Sequence, residues 1–180
     1  MEFIAENGLV SIVKIDERTF ELRKSTGFEK SRGDDLDYDS RYDSISEVGC
    51  LLFGDLEKTF GLRDYDNDGH DLAYLLLHPL ENAEAHGNKY DSNKITRISY
   101  RFDDNGDSVT LFFEIEDEGD GFNYQHVVEA ESGTSKGYND FREESPEGSV
   151  GNGLLRLADR VEWNEEGNVI RVTKYLKLKE

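Results

Sequence analysis

The run Asp117-Glu118-Gly119-Asp120-Gly121-Phe122 closes a strongly alternating apolar stretch, so a carboxylate is followed at once by backbone lacking side chains. A carboxylate at a strand end accepts a hydrogen bond from an exocyclic amine, and Gly119 and Gly121 let main chain approach a planar base closely. Taken alone, the run also reads as an ordinary hairpin or loop. A second run, His78-Pro79-Leu80-Glu81-Asn82-Ala83-Glu84-Ala85-His86-Gly87-Asn88, places Asn82 on a helical pattern. Its amide oxygen is the hard donor that Mg²⁺ accepts when water and phosphate fill the other positions. A third run, Gly148-x-x-Gly151-x-Gly153-Leu154-Leu155, opens another helical pattern. A glycine-rich helix start offers N–H groups and the positive end of a helix to phosphate oxygens. In this order the three runs supply a base reader, a metal anchor and a phosphate cradle.

The elements that must position them follow from periodicity. Residues 9–15 and 18–24 alternate apolar and polar around Asp16-Glu17, which predicts a short hairpin; it is placed to extend a sheet, cover a sheet edge or meet a partner. Lys30 to Asp43 is polar and acidic and reads as a solvated connector. From Ile45, the positions Val48, Leu51, Leu52, Leu56 and Phe60 recur at helical spacing up to Gly61. A second helix carries Leu72, Leu75, Leu76, Leu80 and Ala83 and stops at Gly87-Asn88. Ile95 to Asp103 and Ser108 to Glu116 alternate with period two around Asp104-Asn105-Gly106-Asp107, a hairpin signal. Phe122 to Ala130 reads as a short helix, Glu131 to Gly148 as a polar lid, and Gly151 to Trp163 as a helix. A turn at 164–167 then leads to a last strand, Asn168 to Leu178. The expected fold is α+β: a two-layer α/β sandwich with helices on one face of a mostly antiparallel sheet. Residues 1–40 form a hairpin and acidic connector, and 41–180 the main domain.

Bulk properties narrow the function. A chain of 180 residues is one domain by size. With 40 acidic against 21 basic residues, its net charge of −19 repels nucleic acid and anionic membranes, so a phosphate ligand needs a divalent cation or backbone N–H groups. The single Cys50 forms no internal disulfide, and no apolar run approaches the ~20 residues of a membrane span. The N-terminal segment has no basic start or signal-like apolar core, so a cytoplasmic location is expected.

These three runs resemble those of the GHKL ATPase superfamily, which includes gyrase-type ATPases, histidine kinases and bacterial anti-sigma-factor serine/threonine kinases, the last most of all. Their Glu-x-x-x-Asn-Ala-x-x-His-Gly is matched from Asn82 through Gly87, their Asp-x-Gly-x-Gly-Phe by Asp117 to Phe122, and their Gly-x-Gly-Leu by Gly151 to Leu154. The likeness spans about Tyr42 to Leu178 and implies the Bergerat ATP-binding fold with ATP and Mg²⁺ as cofactors. It implies that Asp117 meets the adenine amine, Asn82 holds Mg²⁺, Gly119 and Gly121 border the base, and Gly151, Gly153 and Leu154 border the phosphates. The implied partner is a sigma factor or an anti-sigma antagonist in a partner-switching pathway, and related kinases form homodimers. Nucleic acid and membrane are not expected partners.

One position departs from the pattern. Where the family's kinases carry a Glu base, four residues before Asn82, this chain has His78, followed by Pro79. The i, i+4 relation puts His78 on the face of Asn82, and a neutral imidazole accepts a proton near neutral pH. Glu81 and Glu84 point roughly 100° and 200° away in a regular helix. A kink at Pro79 is the route by which Glu81 would substitute as base. The resemblance thus leaves two readings open: an active serine/threonine kinase, or an ATPase-fold module that acts by protein binding alone.

Other features have plainer explanations. His86 suits a helix C-terminal cap, and His78 also fits a satisfied interior histidine. Asp64-x-Asp66-x-Asp68-Gly69 imitates a calcium loop but has Leu75 at its twelfth position, so it reads as a turn with Asp68 as N-cap. Cys50 falls within an apolar helix and is expected in the core.

Overall fold

The computed structural model of the chain describes residues 1–25, 28, 40–65, 69–121 and 152–179. Seven strands form one antiparallel sheet: β1 (Glu2–Ile4), β2 (Val10–Lys14), β3 (Thr19–Lys24), β4 (Thr96–Asp104), β5 (Ser108–Asp117), β6 (Arg160–Trp163) and β7 (Val169–Lys177). Their order is β1-β2-β3-β4-β5-β7-β6. The helices are α1 (Ser40–Phe60), α2 (Gly69–Asn82) and the short α3 (Asn152–Leu157). The chain is therefore mixed α+β. Among the described residues, no helix is long and apolar enough to cross a membrane.

Strand alternation decides which face is buried. In β5, Val109, Leu111, Phe113, Ile115 and Asp117 are buried while the residues between them are more open. The register carries this face across the sheet: Phe20 pairs Ile98, Ile98 pairs Ile115, and Tyr100 pairs Phe113, which pairs Val172. Ile45, Val48, Leu52 and Leu56 of α1 and Leu72, Leu75, Leu76 and Leu80 of α2 complete the same core. Each such side chain removed from water contributes about 1.5–3 kcal/mol. The opposite face carries ion pairs such as Arg97–Glu116 and Arg171–Glu114.

The two long helices lie close together because Gly49 has no side chain: a methyl there would run into Leu77 of α2. Of the three placements open to the N-terminal hairpin, it extends the sheet, since β3 pairs with β4. The tight turn after β4 uses Gly106 at φ 87°, with its N–H donating to Asp104 Oδ1 at 2.8 Å.

Three expectations are corrected. Of the acidic connector expected over residues 30–43, residues 40–43 are the first turn of α1, and 30–39 lie outside the described residues. The helix expected over 151–163 ends at Leu157, and residues 160–163 are strand β6, with Val161 paired to Val172. Asp159 makes the break, its carboxylate accepting the N–H of Tyr175 at 2.7 Å, and the short alternating run that follows pairs with β7. Cys50 and Leu51 are exposed instead of buried. At about 100° per residue, Cys50 falls roughly 155° and Leu51 roughly 105° from the centre of the stripe formed by Ile45, Val48, Leu52 and Leu56. The expected 122–130 helix, the 131–148 lid, Gly151, and Asp66 and Asp68 of the calcium-like run lie outside the described residues.

Candidate functional site

The inward alternation of β5 carries one step beyond its apolar residues to Asp117, so a carboxylate takes a core-facing position at the strand end. It is only 9% exposed. Gly119 N–H donates to Asp117 Oδ1 at 2.8 Å, and among the described residues Oδ2 has no hydrogen-bond partner. Burial raises this carboxyl above the usual carboxylate range; the Gly119 N–H pulls it down and the negative charge of Glu84 pushes it up. A buried carboxylate with an unmatched oxygen accepts well from an amine.

Two glycines permit this packing. A methyl on Gly87 would collide with the Asp117 carboxyl, and one on Gly119 would collide with the Gly87 carbonyl. Gly121, at φ 72°, lies against the backbone of Glu166. Asp117 N–H donates to Asn168 O at 3.0 Å, and Asn168 Nδ2 donates back to Asp117 O at 3.2 Å. Asn164 Oδ1 accepts the N–H groups of Gly167, Asn168 and Val169, fixing the turn on which this loop rests.

Asn82 is the last residue of α2, at φ −65°, ψ −42°, and is half-buried. The chain then widens into a π-turn, Ala83–Gly87, closed by Asn88 N–H donating to Ala83 O at 2.7 Å. Such insertions in helices frequently occur at functional sites. The turn brings Gly87 against Asp117, while Asn82 lies about 7 Å back along the helix axis. Lys89 and Tyr90 follow with φ of 55° and 58°, an uncommon conformation for residues with side chains. His86 is exposed on the turn, and the closing hydrogen bond comes from Asn88.

The α2 residues around Pro79 take separate roles. The helix runs unbroken through Pro79, which is buried. His78 is half-buried, its ring stacked on Tyr74 with centroids 4.8 Å apart. Glu81 faces α1, where Tyr42 Oη donates to Glu81 Oε2 at 2.8 Å, and burial raises its carboxyl above the ordinary range. Glu84 points into the sheet and is fully buried. Gly153 lies in α3, and Leu154 is 2% exposed in the core, with α3 packed on α2.

The structure therefore brings Asp117, Gly119 and Gly87 together, leaves Asn82 about 7 Å and His78 about one further turn back along α2, and places Gly121 on the loop's far side. Sequence reasoning missed Lys24, whose Nζ lies 2.6 Å from Glu84 Oε2 with both side chains wholly buried. Its signal was the alternation Phe20, Leu22, Lys24, which points the lysine inward. Among the described residues, no group of three or more His, Cys, Asp and Glu side chains is arranged to hold a metal ion. A shallow cavity of about 200 Å³, lined by Glu17, Arg18, Phe60, Tyr100 and Phe102, sits toward the other end of β4. Comparison of the sequence with protein-family models and with curated proteins gives no match.

Proposed function

We propose that this chain is an ATP- and Mg²⁺-binding regulatory protein of the anti-sigma-factor serine/threonine kinase type, built as a Bergerat two-layer α/β sandwich and acting on a protein partner. The observation that carries the reading is Asp117: buried at a strand end, one oxygen held by Gly119 N–H, the other unmatched, with Gly87 wedged against it. An adenine amine supplies the hydrogen bond that Oδ2 lacks. Asn82 fits Mg²⁺, which needs few protein oxygens when phosphates and water complete its shell. Bound Mg²⁺ would offset phosphate charge in a chain of net charge −19. Gly151 and Gly153 would border the phosphates, and Leu154, its side chain in the core, would contribute only backbone. In phosphotransfer, His78 would take the proton of the attacking hydroxyl, since Glu81 is engaged with Tyr42 on the α1 side.

The second reading, a module acting by protein binding alone, draws on the same α2 geometry. His78 stacks on Tyr74, and neither nearby glutamate occupies the base position: Glu81 meets Tyr42 and Glu84 meets Lys24.

Calorimetry of ATP with and without Mg²⁺ tests the first reading. Wild type is expected to bind, more tightly with Mg²⁺, and Asp117→Asn to lose at least about tenfold. Absence of wild-type binding sinks the proposal. His78 separates the two readings: an active wild type that loses phosphotransfer in His78→Ala eliminates the module, whereas an inactive wild type that gains it in His78→Glu supports the module.

A further inference from the structure

Lys24 stands on β3, the third strand of an N-terminal segment that the nucleotide reading does not use. Its Nζ donates to Glu84 Oε2 at 2.6 Å. Glu84 Oε1 accepts from Thr96 Oγ1 at 2.6 Å and from Asn88 Nδ2 at 3.1 Å. Asn88 Nδ2 also donates to Thr96 Oγ1 at 2.9 Å and to Ile95 O at 3.1 Å, while Asn88 Oδ1 accepts Glu118 N–H at 2.9 Å. The network thus runs from β3 through the π-turn to the residue after Asp117. Thr96 is the direct strand partner of both Leu22 and Asp117. Directly paired residues have Cβ atoms about 4.5–5.5 Å apart.

Resting on the nucleotide reading above, we propose that Lys24 is a positioning residue of that site. By pairing with Glu84 it fixes the 83–87 turn that seats Gly87 against Asp117, and it cancels a negative charge behind the adenine-binding carboxylate. A buried, unpaired Glu84 would be costly in itself and would repel Asp117. The charged groups bearing on Asp117 are Glu84 from the turn, Lys94 from the segment before β4 and Glu116 from its own strand; the 164–168 turn meets it through neutral Asn168. Lys24 enters through Glu84. A regulator that displaced the N-terminal hairpin would therefore weaken nucleotide binding without touching the nucleotide.

The test titrates the Asp117 carboxyl by carbon-detected NMR in the nucleotide-free protein, alongside calorimetry with Mg²⁺ and ATP. Lys24→Met is expected to raise the Asp117 midpoint and weaken ATP binding about tenfold or more. Glu84→Gln is expected to lower the midpoint, and Lys24→Met/Glu84→Gln to return it near wild type. Opposite signs for the two single variants identify charge coupling, since loosening of structure alone would move both the same way. Should Lys24→Met not fold, a midpoint for Glu84→Gln below that of the double variant supports the coupling, and one equal or higher overturns it. Folded single variants that leave the midpoint unmoved, or move it in one direction, also overturn it. A wild type that binds no ATP overturns the nucleotide reading instead, while the nucleotide-free titrations still decide the coupling.

Discussion

Glu84 and Asp117 are both buried at one end of the sheet and are linked through Thr96, yet their surroundings differ. Glu84 has Lys24, Thr96 and Asn88 on its two oxygens, each at hydrogen-bonding distance, and no exposure at all. Asp117 has a single N–H on one oxygen and, among the described residues, nothing on the other. A carboxylate surrounded by donors adds order to the fold, because each oxygen that burial strips of water has a replacement donor. A carboxylate left half-satisfied costs stability in the unliganded chain, and such groups concentrate where a ligand completes them. The pair therefore contrasts a carboxylate whose partners the fold supplies with one whose second oxygen, on the proposed reading, is completed by a ligand.

The largest expected effect comes from forcing the half-satisfied site out of shape. In Gly87→Ala the new methyl meets the Asp117 carboxyl, and backbone or strand must shift to admit it. Overpacking of this kind costs about 1–3 kcal/mol. Denaturant unfolding should show that loss, and on the proposed nucleotide reading calorimetry should show ATP binding reduced at least about tenfold, because Asp117 would no longer face the base. Unchanged binding would separate Gly87 from the pocket and blur the contrast between the two carboxylates.

A subtler effect is expected from Asp117→Asn, where stability and binding should part company. The folded state raises the Asp117 pKa, so it holds a proton that the unfolded chain has already released. Wild-type stability therefore falls as pH rises from the ordinary carboxylate range through the folded pKa, and is flat above it. Asparagine has no charge to desolvate, and its carbonyl can still accept Gly119 N–H. Its NH₂ then occupies the Oδ2 position and meets an adenine amine donor to donor. At neutral pH the variant should be as stable as wild type or more so by thermal unfolding, while binding ATP poorly. A variant that loses stability as well would place Asp117 with Glu84 among the structural groups.

Much of this end of the sheet was legible in sequence because it depends on local pattern. The alternation through Ile115 sets Asp117 inward, the glycines at 119 and 121 mark the loop, and helical spacing carries Asn82 to the end of α2. What was not legible depends on distant partners. Lys24 and Glu84 are sixty positions apart, and a lysine closing a strand reads as solvated until its partner is known. Val161 fits a helical stripe and a strand equally, and pairing with β7 chose the strand. Cys50 and Leu51 read as apolar by composition, but the angle around α1 turns them outward. The far end of the sheet is a mixed case: Phe60, Tyr65, Tyr100 and Phe102 cluster with ring centroids 4.6–6.3 Å apart, and helical and period-two spacing place Phe60, Tyr100 and Phe102 but not Tyr65, which lies in the connector after α1.

The smallest expected effect concerns Glu81, a third carboxylate between the two extremes. It accepts a hydrogen bond from Tyr42 Oη and is half-buried, and burial raises its pKa despite the hydrogen bonds from Tyr42 and Ser46 that lower it. Glu81→Gln keeps an oxygen for Tyr42 and removes the charge. Wild-type stability should therefore slip relative to the variant as pH rises through the raised Glu81 pKa, and the difference should hold constant above it. Thermal unfolding across that range reads the sign directly. Activity supplies the second reading: loss of a general base typically costs about 10²–10⁴ in rate, so retention of phosphotransfer in Glu81→Gln assigns the carboxylate to the α1–α2 contact. A collapse in rate with stability intact would move Glu81 from the structural side of the comparison to the functional one, and would assign to Glu81 the base role proposed for His78.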